Sequence, residues 1–421
     1  MRNLHKVSYS LTKGAMLGYI GWLLLPMLQT TLGALGGVSL VALFGLGVLL
    51  DVDFMKTHGK WFLLSVGFVA LLPWLFHTYM HRGGDAFLGY YVQQGMFFFP
   101  LLYVGYAKLK RDTRYTKHVL LFAFCALAIT TFTTLGWLVE GLCRGDKVYA
   151  YSRSLGFAGE GREAYLKELM LRNIGGYGFI YATVLTLPLG CYGLSRLTGL
   201  KRLGLFTFLL LQVVTVVLSQ YTYAMLYTAS LLTIECVALL LRRIGKMKLG
   251  LSLLWGTVPL LLVALFLQPL LVLGISLSEN IGFASISFSL EQLLLSLQGG
   301  VTAESSRLVA YQLSLNGIAQ SPWIGSLFGS PYSLGFHSDV LDMLSAFGVL
   351  GTTVLAALFV SMNRPCLQGI KKSPALAQVK LQWATLVITG LLGTVLYSGE
   401  IGLVWGVTLL YGSFQTSREG E

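Results

Sequence analysis

Twelve stretches of about twenty apolar residues, most of them separated by short polar joints, leave this chain few ways to fold. They lie near 12–29, 32–50, 61–78, 86–107, 118–138, 174–195, 203–220, 222–241, 250–275, 337–360, 379–397 and 400–415. A run of that length makes a helix of about 30 Å, the thickness of a bilayer's hydrocarbon core. Lipid supplies no water to unpaired N–H and C=O groups, so helices and closed barrels alone can cross it. Only 11% of the 421 residues are charged while 55% are hydrophobic, too few charges to cover a soluble protein of this length. The pattern predicts an all-α polytopic transmembrane helical bundle of about twelve spans, forming a single integral membrane domain over residues 1–421.

Basic residues orient the bundle, because Lys and Arg in short loops favour the cytoplasmic side. With the N-terminus inside, 22 of the 30 fall on inner segments, leaving Arg82, Arg144, Lys147, Arg153, Arg162, Lys167, Arg172 and Arg307 outside. An even number of spans then puts both termini in the cytoplasm. This bias and a shortage of acids account for the net charge of +12, so no nucleic-acid partner is required. The first apolar run continues into the second without a small-residue processing site, and span one is expected to serve as the insertion signal. Cys125, Cys191 and Cys236 fall within spans, Cys143 in an outer loop and Cys366 in an inner one. None stands at metal-ligand spacing, so neither disulfide nor zinc is expected. With no P-loop, no dinucleotide fingerprint and no tandem repeat, the chain is expected to use neither cofactor nor metal.

The connections are unequal. Two on the outer side are long, 139–173 and 276–336, and long loops in compact proteins are usually functional or disordered. Within 161–171, Tyr165, Leu166, Leu169 and Met170 share one helical face, and within 288–298 Leu290, Leu293, Leu294 and Leu297 do the same. Both segments suit short helices at the membrane interface, roofing a cavity, although simple surface packing makes the same pattern. Charged groups near hydrocarbon are costly and mark functional candidates. The segment from Glu304 to Leu350 concentrates them: Arg307 and Tyr311, then Pro322 and Gly325, then His337, Ser338 and Asp339, with Asp342 beyond. The other long loop ends Arg172-Asn173-Ile174-Gly175-Gly176-Tyr177-Gly178, where a guanidinium and bare backbone N–H groups can meet one anion. An arginine that snorkels to lipid headgroups would sit at the same place.

The spacing Arg307, Tyr311, Pro322, Gly325, His337 and Gly348-Val-Leu-Gly351, with Arg172-Asn-Ile-Gly-Gly-Tyr at the entry to a span that holds Leu187-Pro188-Leu189, resembles the O-antigen ligase and O-antigen polymerase superfamily of bacterial membrane glycosyltransferases. One departure is Ser219-Gln220-Tyr221, where that family often carries Ser-Arg-Gly. Another is Ser338 after the histidine, where Asn is common. The resemblance implies a metal-independent enzyme whose donor is an oligosaccharide on undecaprenyl pyrophosphate and whose partners are that donor, a glycan acceptor, the lipid bilayer and other polysaccharide-assembly proteins. It implies an outward-facing site in the bacterial cytoplasmic membrane. In it Arg172 and Arg307 would hold the pyrophosphate, where charge grows as the sugar departs. His337 would accept the acceptor's hydroxyl proton, and Asp339 or Asp342 would assist it. Tyr177, Tyr311 and Glu140 are further candidates for substrate contact.

Two classes of function follow. The first is a glycosyltransferase, either a polymerase of O-antigen, capsule or exopolysaccharide repeat units, which the His-Ser-Asp variant favours by resemblance, or a ligase moving a finished glycan to another acceptor. The second is a lipid-linked oligosaccharide flippase or transporter, which would place charges along a cavity reaching both faces and often shows two related halves. No such halves are visible here, and the polar features gather on the outer side. Glu400, between the last two spans, stands near the proposed cavity or is a solvated helix-end charge, and Glu235 within span eight reads as a structural charge with a partner in the bundle; His77, His81, Arg82 and Asp85 between spans three and four read as a polar turn whose spacing specifies no metal.

Overall fold

The computed structural model describes residues 2–80, 87–144, 162–243, 267–280, 305–325, 337–371, 375–393 and 398–418, together with 287–288, 290–291, 294–295 and 335. Among these the fold is all-α, with fourteen helices and no strand. In chain order they are α1 (Arg2–Leu24), α2 (Pro26–Leu49), α3 (Val52–Met80), α4 (Phe87–Lys110), α5 (Thr113–Cys143), α6 (Arg162–Leu171), α7 (Tyr177–Arg196), α8 (Gly199–Ser219), α9 (Thr222–Arg243), α10 (Leu267–Asn280), α11 (Ser305–Gln320), α12 (Asp339–Ile370), α13 (Leu376–Leu392) and α14 (Gly399–Arg418). Five of them, α2, α5, α7, α8 and α12, are long and apolar enough to cross a membrane, and α13 and the 223–238 part of α9 are shorter apolar helices. Most of the 250–275 run and of the 288–298 helix lies outside the described residues.

The helix limits differ from the hydropathy pattern at two places. Pro26 starts α2 as its first residue, so the α1–α2 boundary is Leu25 instead of a joint near residue 30. Helix α12 runs to Ile370, ten residues past the end of its apolar run.

The chain divides into two compact units. Residues Met1–Thr130, Lys167–Ala182 and Val309–Glu421 form one, and Thr131–Leu166 and Thr183–Leu308 form the other. In the first, α1 packs on α2, α3 on α4, α4 on α14, and α12 on α3, α4, α13 and α14. Small residues let these helices approach closely, as they do where lipid provides no hydrophobic drive. Gly37 makes room for the Trp22 ring, Gly105 for the Trp61 ring, and Gly402 lies against the Phe97 carbonyl. Around these contacts sits an aromatic core in which Phe44 meets Phe99 at 5.3 Å and Tyr106 at 5.5 Å, and Phe359 stacks on Trp405 at 5.2 Å. Asp51, 3% exposed, caps α3 by accepting the Phe54 N–H at 3.2 Å, takes the Tyr106 hydroxyl at 3.2 Å, and pairs with Lys110.

In the second unit, α8 packs on α9. Gln212, Thr215 and Ser219 lie on one buried face of α8, and the Thr186 hydroxyl donates to Gln212 at 3.3 Å.

Two helices are broken, each at a glycine. Gly33 in α2 has φ 61° and ψ −170°, and Gly348 in α12 has φ 61° and ψ −176°, a region open to glycine alone. An unbroken α12 of 32 residues would extend about 48 Å, well beyond a hydrocarbon core of about 30 Å. The break separates a short segment, 339–347, from 349–370, which by itself matches a span. A turn fills the gap: Val349 N–H donates to the Pro322 carbonyl at 2.8 Å and Leu350 N–H to the Trp323 carbonyl at 3.0 Å. The Thr352 hydroxyl reaches back across the break to the Met343 carbonyl at 3.3 Å. In the turn, Gly325 has φ 64°, and a side chain there would strike the Ala346 carbonyl.

Gly348→Ala is therefore expected to lower stability by about 2–4 kcal/mol, from the forbidden dihedral and the clash with Trp323. Gly351→Ala, at ordinary helical dihedrals, brings its Cβ within 2.8 Å of the Phe347 Cβ but carries no dihedral penalty, so it should cost less than Gly348→Ala by that backbone strain. Thermal unfolding in detergent checks the pair, and equal losses would remove the explanation.

Candidate functional site

The site residues of the first unit are gathered by the C-terminal end of α13. The last carbonyls of a helix lack partners within it, and here other segments provide the donors. The Ser338 hydroxyl donates to the Gly390 carbonyl at 3.4 Å, the Tyr311 hydroxyl to Leu392 at 3.0 Å, and the Asp339 N–H to Gly393 at 3.3 Å. Ser338 is also the N-cap of α12, accepting the Leu341 N–H at 3.2 Å.

A second junction lies at Ser314, 1% exposed on α11. Its hydroxyl donates to Asp342 at 2.5 Å and accepts the Gly335 N–H at 3.1 Å. Gly335 lies directly on the Ala310 carbonyl, where no side chain fits. His337 thus sits between two fixed points, Gly335 on α11 and Ser338–Asp339 on α13. The histidine itself is exposed and makes no hydrogen bond to another described residue. Asp339 and Asp342 are 6% and 3% exposed. Asp339 opens α12 with its N–H on the Gly393 carbonyl, and His337 lies two residues before it in the preceding turn.

The arginines are placed differently from each other. Arg172 ends α6, whose cap is a Schellman motif: Ile174 N–H donates to the Leu169 carbonyl at 3.0 Å and Asn173 N–H to Met170 at 2.9 Å, with Asn173 left-handed at φ 60°. Ile174 and Leu169 are buried, and the Asn173 amide donates to the Thr130 hydroxyl at 2.9 Å. The guanidinium pairs with Glu168 one turn back at 2.6 Å, both side chains about half exposed. Such a surface pair is weak, so an anion of higher charge can compete for Arg172. Arg307 lies in the first turn of α11, one turn before Tyr311; its side chain lies outside the described residues. In the second unit, Glu140 pairs with Arg144 on the exposed end of α5. Gln220, where the resemblance expects arginine, ends α8 left-handed at φ 55° and is 1% exposed. Glu235 is buried on α9 within electrostatic reach of Cys191. The side chains of the 77–85 cluster lie outside the described residues.

Sequence reasoning missed two members of this neighbourhood. Ser314 follows Tyr311 by three positions and Arg307 by seven, so all three fall on one stripe of a helix inside a segment expected to be a long loop. Over 309–320, where burial is described, the buried positions are Ala310, Ser314 and Gly317, small residues that pack by close approach and give little hydrophobic period to detect. The Gly390-x-x-Gly393 end of α13 was visible only as part of a span. Glu400, expected near the cavity or at a solvated helix end, accepts the Ser398 hydroxyl at 2.9 Å at the start of α14.

Ser314→Ala should leave the Gly335 N–H and the Asp342 carboxylate short of a partner, costing about 2–3 kcal/mol, and should speed amide exchange across 337–342 more than elsewhere in α12. Hydrogen-exchange mass spectrometry reads this directly; unchanged protection there would show that Ser314 does not hold the histidine turn. A scan against protein-family models and searches of curated proteins and of solved structures return no match for this chain.

Proposed function

We propose that this protein is a membrane glycosyltransferase that extends oligosaccharide repeat units carried on undecaprenyl pyrophosphate at the outer face of the cytoplasmic membrane. The observation that carries the reading is the exposed His337, held between backbone anchors beside a helix end that also fixes Tyr311. In the proposed reaction the acceptor's hydroxyl oxygen attacks the donor's anomeric carbon as the bond to the lipid pyrophosphate breaks. The imidazole takes the hydroxyl proton, and the pyrophosphate leaves with its growing charge held by Arg172 and by Arg307 of α11. A planar guanidinium contacts two phosphate oxygens at once, which an ammonium cannot.

The two glycine-broken helices give the transporter reading its best support, since discontinuous helices often line transport sites. At Gly348 the break is filled by the 322–325 turn, which weighs against an open path there.

Purified protein with undecaprenyl-pyrophosphate oligosaccharide distinguishes the readings. His337→Ala should bind donor normally and lose transfer by about 10²-fold or more. Arg307→Lys should also be poor, and turnover should persist in EDTA. Longer lipid-linked chains identify a polymerase and transfer only to a different acceptor a ligase. Near-normal turnover by His337→Ala would remove the histidine from the mechanism, and transbilayer movement of substrate without a new glycosidic bond would replace the enzyme with a flippase.

A further inference from the structure

The ends of α1, α4 and α5 that the basic residues mark as cytoplasmic enclose a cavity of about 220 Å³, bounded on a further side by Asp51. Its floor is buried, and its mouth lies at the exposed His5 and Tyr9 of α1. Four hydroxyls line the floor, and each hydrogen is already committed: Ser8 donates to the Gly47 carbonyl at 2.7 Å, Thr12 to the Ser8 carbonyl at 2.9 Å, Tyr115 to the Thr12 carbonyl at 3.3 Å and Tyr106 to Asp51 at 3.2 Å. A hydroxyl oxygen in that state can only accept. The floor therefore suits a ligand that brings hydrogen-bond donors.

Lys110 is the reverse. Its ammonium has three N–H groups, and Asp51 is its hydrogen-bonding partner among the described residues. The N–H groups that remain call for the oxygens of an anion. Both acids at the cavity have structural duties: Asp51 caps α3 and is balanced by Lys110, and Asp112 caps α5 by accepting the Tyr115 N–H at 2.8 Å. The same helix ends add Lys6, Lys13, Arg111, Arg114 and Lys117, so the field at the mouth favours negative charge. Lys13 ties α1 to α5 through His118 at 3.0 Å. One turn further along, α5 exposes Leu121 and Phe124, an apolar face for hydrocarbon.

We propose that this cavity seats the headgroup of an anionic phospholipid that carries free hydroxyls, a phosphoglycerol in the simplest case. The glycerol hydroxyls donate to the oxygens of the floor, the phosphate takes the Lys110 N–H groups, and the acyl chains leave along α5. Basic recesses between helices on the cytoplasmic side hold anionic headgroups in this way. A choline headgroup has no donor to offer, and an ethanolamine headgroup brings a cation against Lys110. The volume admits a small polar group and falls short of the roughly 300–1,000 Å³ of pockets for larger ligands. This site does not depend on the glycosyl-transfer reading, and its test needs no turnover.

The test uses the full-length protein purified in detergent and stripped of lipid. The probes are phosphatidylglycerol, phosphatidylcholine and the chain-free glycerophosphoglycerol, with binding read by native mass spectrometry. Phosphatidylglycerol should bind about ten-fold or more tighter than either of the others, the scale of one charge-assisted contact. Ala107→Leu fills the cavity without touching a charge, and Lys110→Gln removes the ammonium while keeping a donor for Asp51; each should weaken phosphatidylglycerol binding about ten-fold. Lys6→Gln, at the same helix end but outside the cavity lining, should change it less than about two-fold. Parent-like affinity in both Ala107→Leu and Lys110→Gln, or equal affinity of the parent for phosphatidylcholine, would overturn the site. Equal losses in Lys6→Gln and Lys110→Gln would replace it with a diffuse surface attraction, and glycerophosphoglycerol binding as tightly as the lipid would replace the lipid with a soluble phosphate. Should a cavity variant fail to fold, Thr12→Val, of the same shape but lacking the hydroxyl, carries the comparison.

Discussion

The last carbonyls of a helix have no partner within it, and each one left bare in a packed interior costs about 1–3 kcal/mol. The end of α13 meets that demand with donors drawn from elsewhere in the chain: a serine hydroxyl from the cap of α12, a phenol from α11 and a backbone amide from α12. Main-chain necessity therefore fixes where the 337–339 turn and the 311 ring stand. Tyr311 and the Ser338–Asp339 turn need no affinity for one another to be held together, because each is tied to the same carbonyl end.

The break in α12 depends on the same necessity. Interrupting a helix frees N–H groups and carbonyls, and here the 322–325 turn and Thr352 take them up. Gly325 and Gly348 each occupy space that the other's neighbours need, so the turn and the break are two halves of one fit. The junction joins the segment after α11 to the helix that His337 precedes.

Much of this was legible in the chain. Apolar runs located most helices, and the small helix 162–171 followed from its apolar face. What escaped shares a physical character. Over 309–320, helix α11 is buried through Ala310, Ser314 and Gly317, so hydropathy gives that stretch little signature. The α1–α2 boundary depends on one proline between two apolar runs. The burial of Asp339 beside an exposed His337 is decided by where α13 ends, a long-range contact that no local spacing encodes. The close packing of Glu400 against Gly178 joins segments more than two hundred residues apart in the chain, which no local pattern around residue 400 encodes.

The α1–α2 joint leaves the pair little slack. Leu25 alone separates helices of 23 and 24 residues, and one residue reaches less than about 4 Å. The hydroxyl of Ser8 bonds the Gly47 carbonyl at 2.7 Å near the far ends, and the Trp22 indole bonds the Gly33 carbonyl at 3.1 Å near the joint. Tethered at one end and clasped at the other, neither helix can swing away without breaking both anchors, and the two behave as one stiff hairpin.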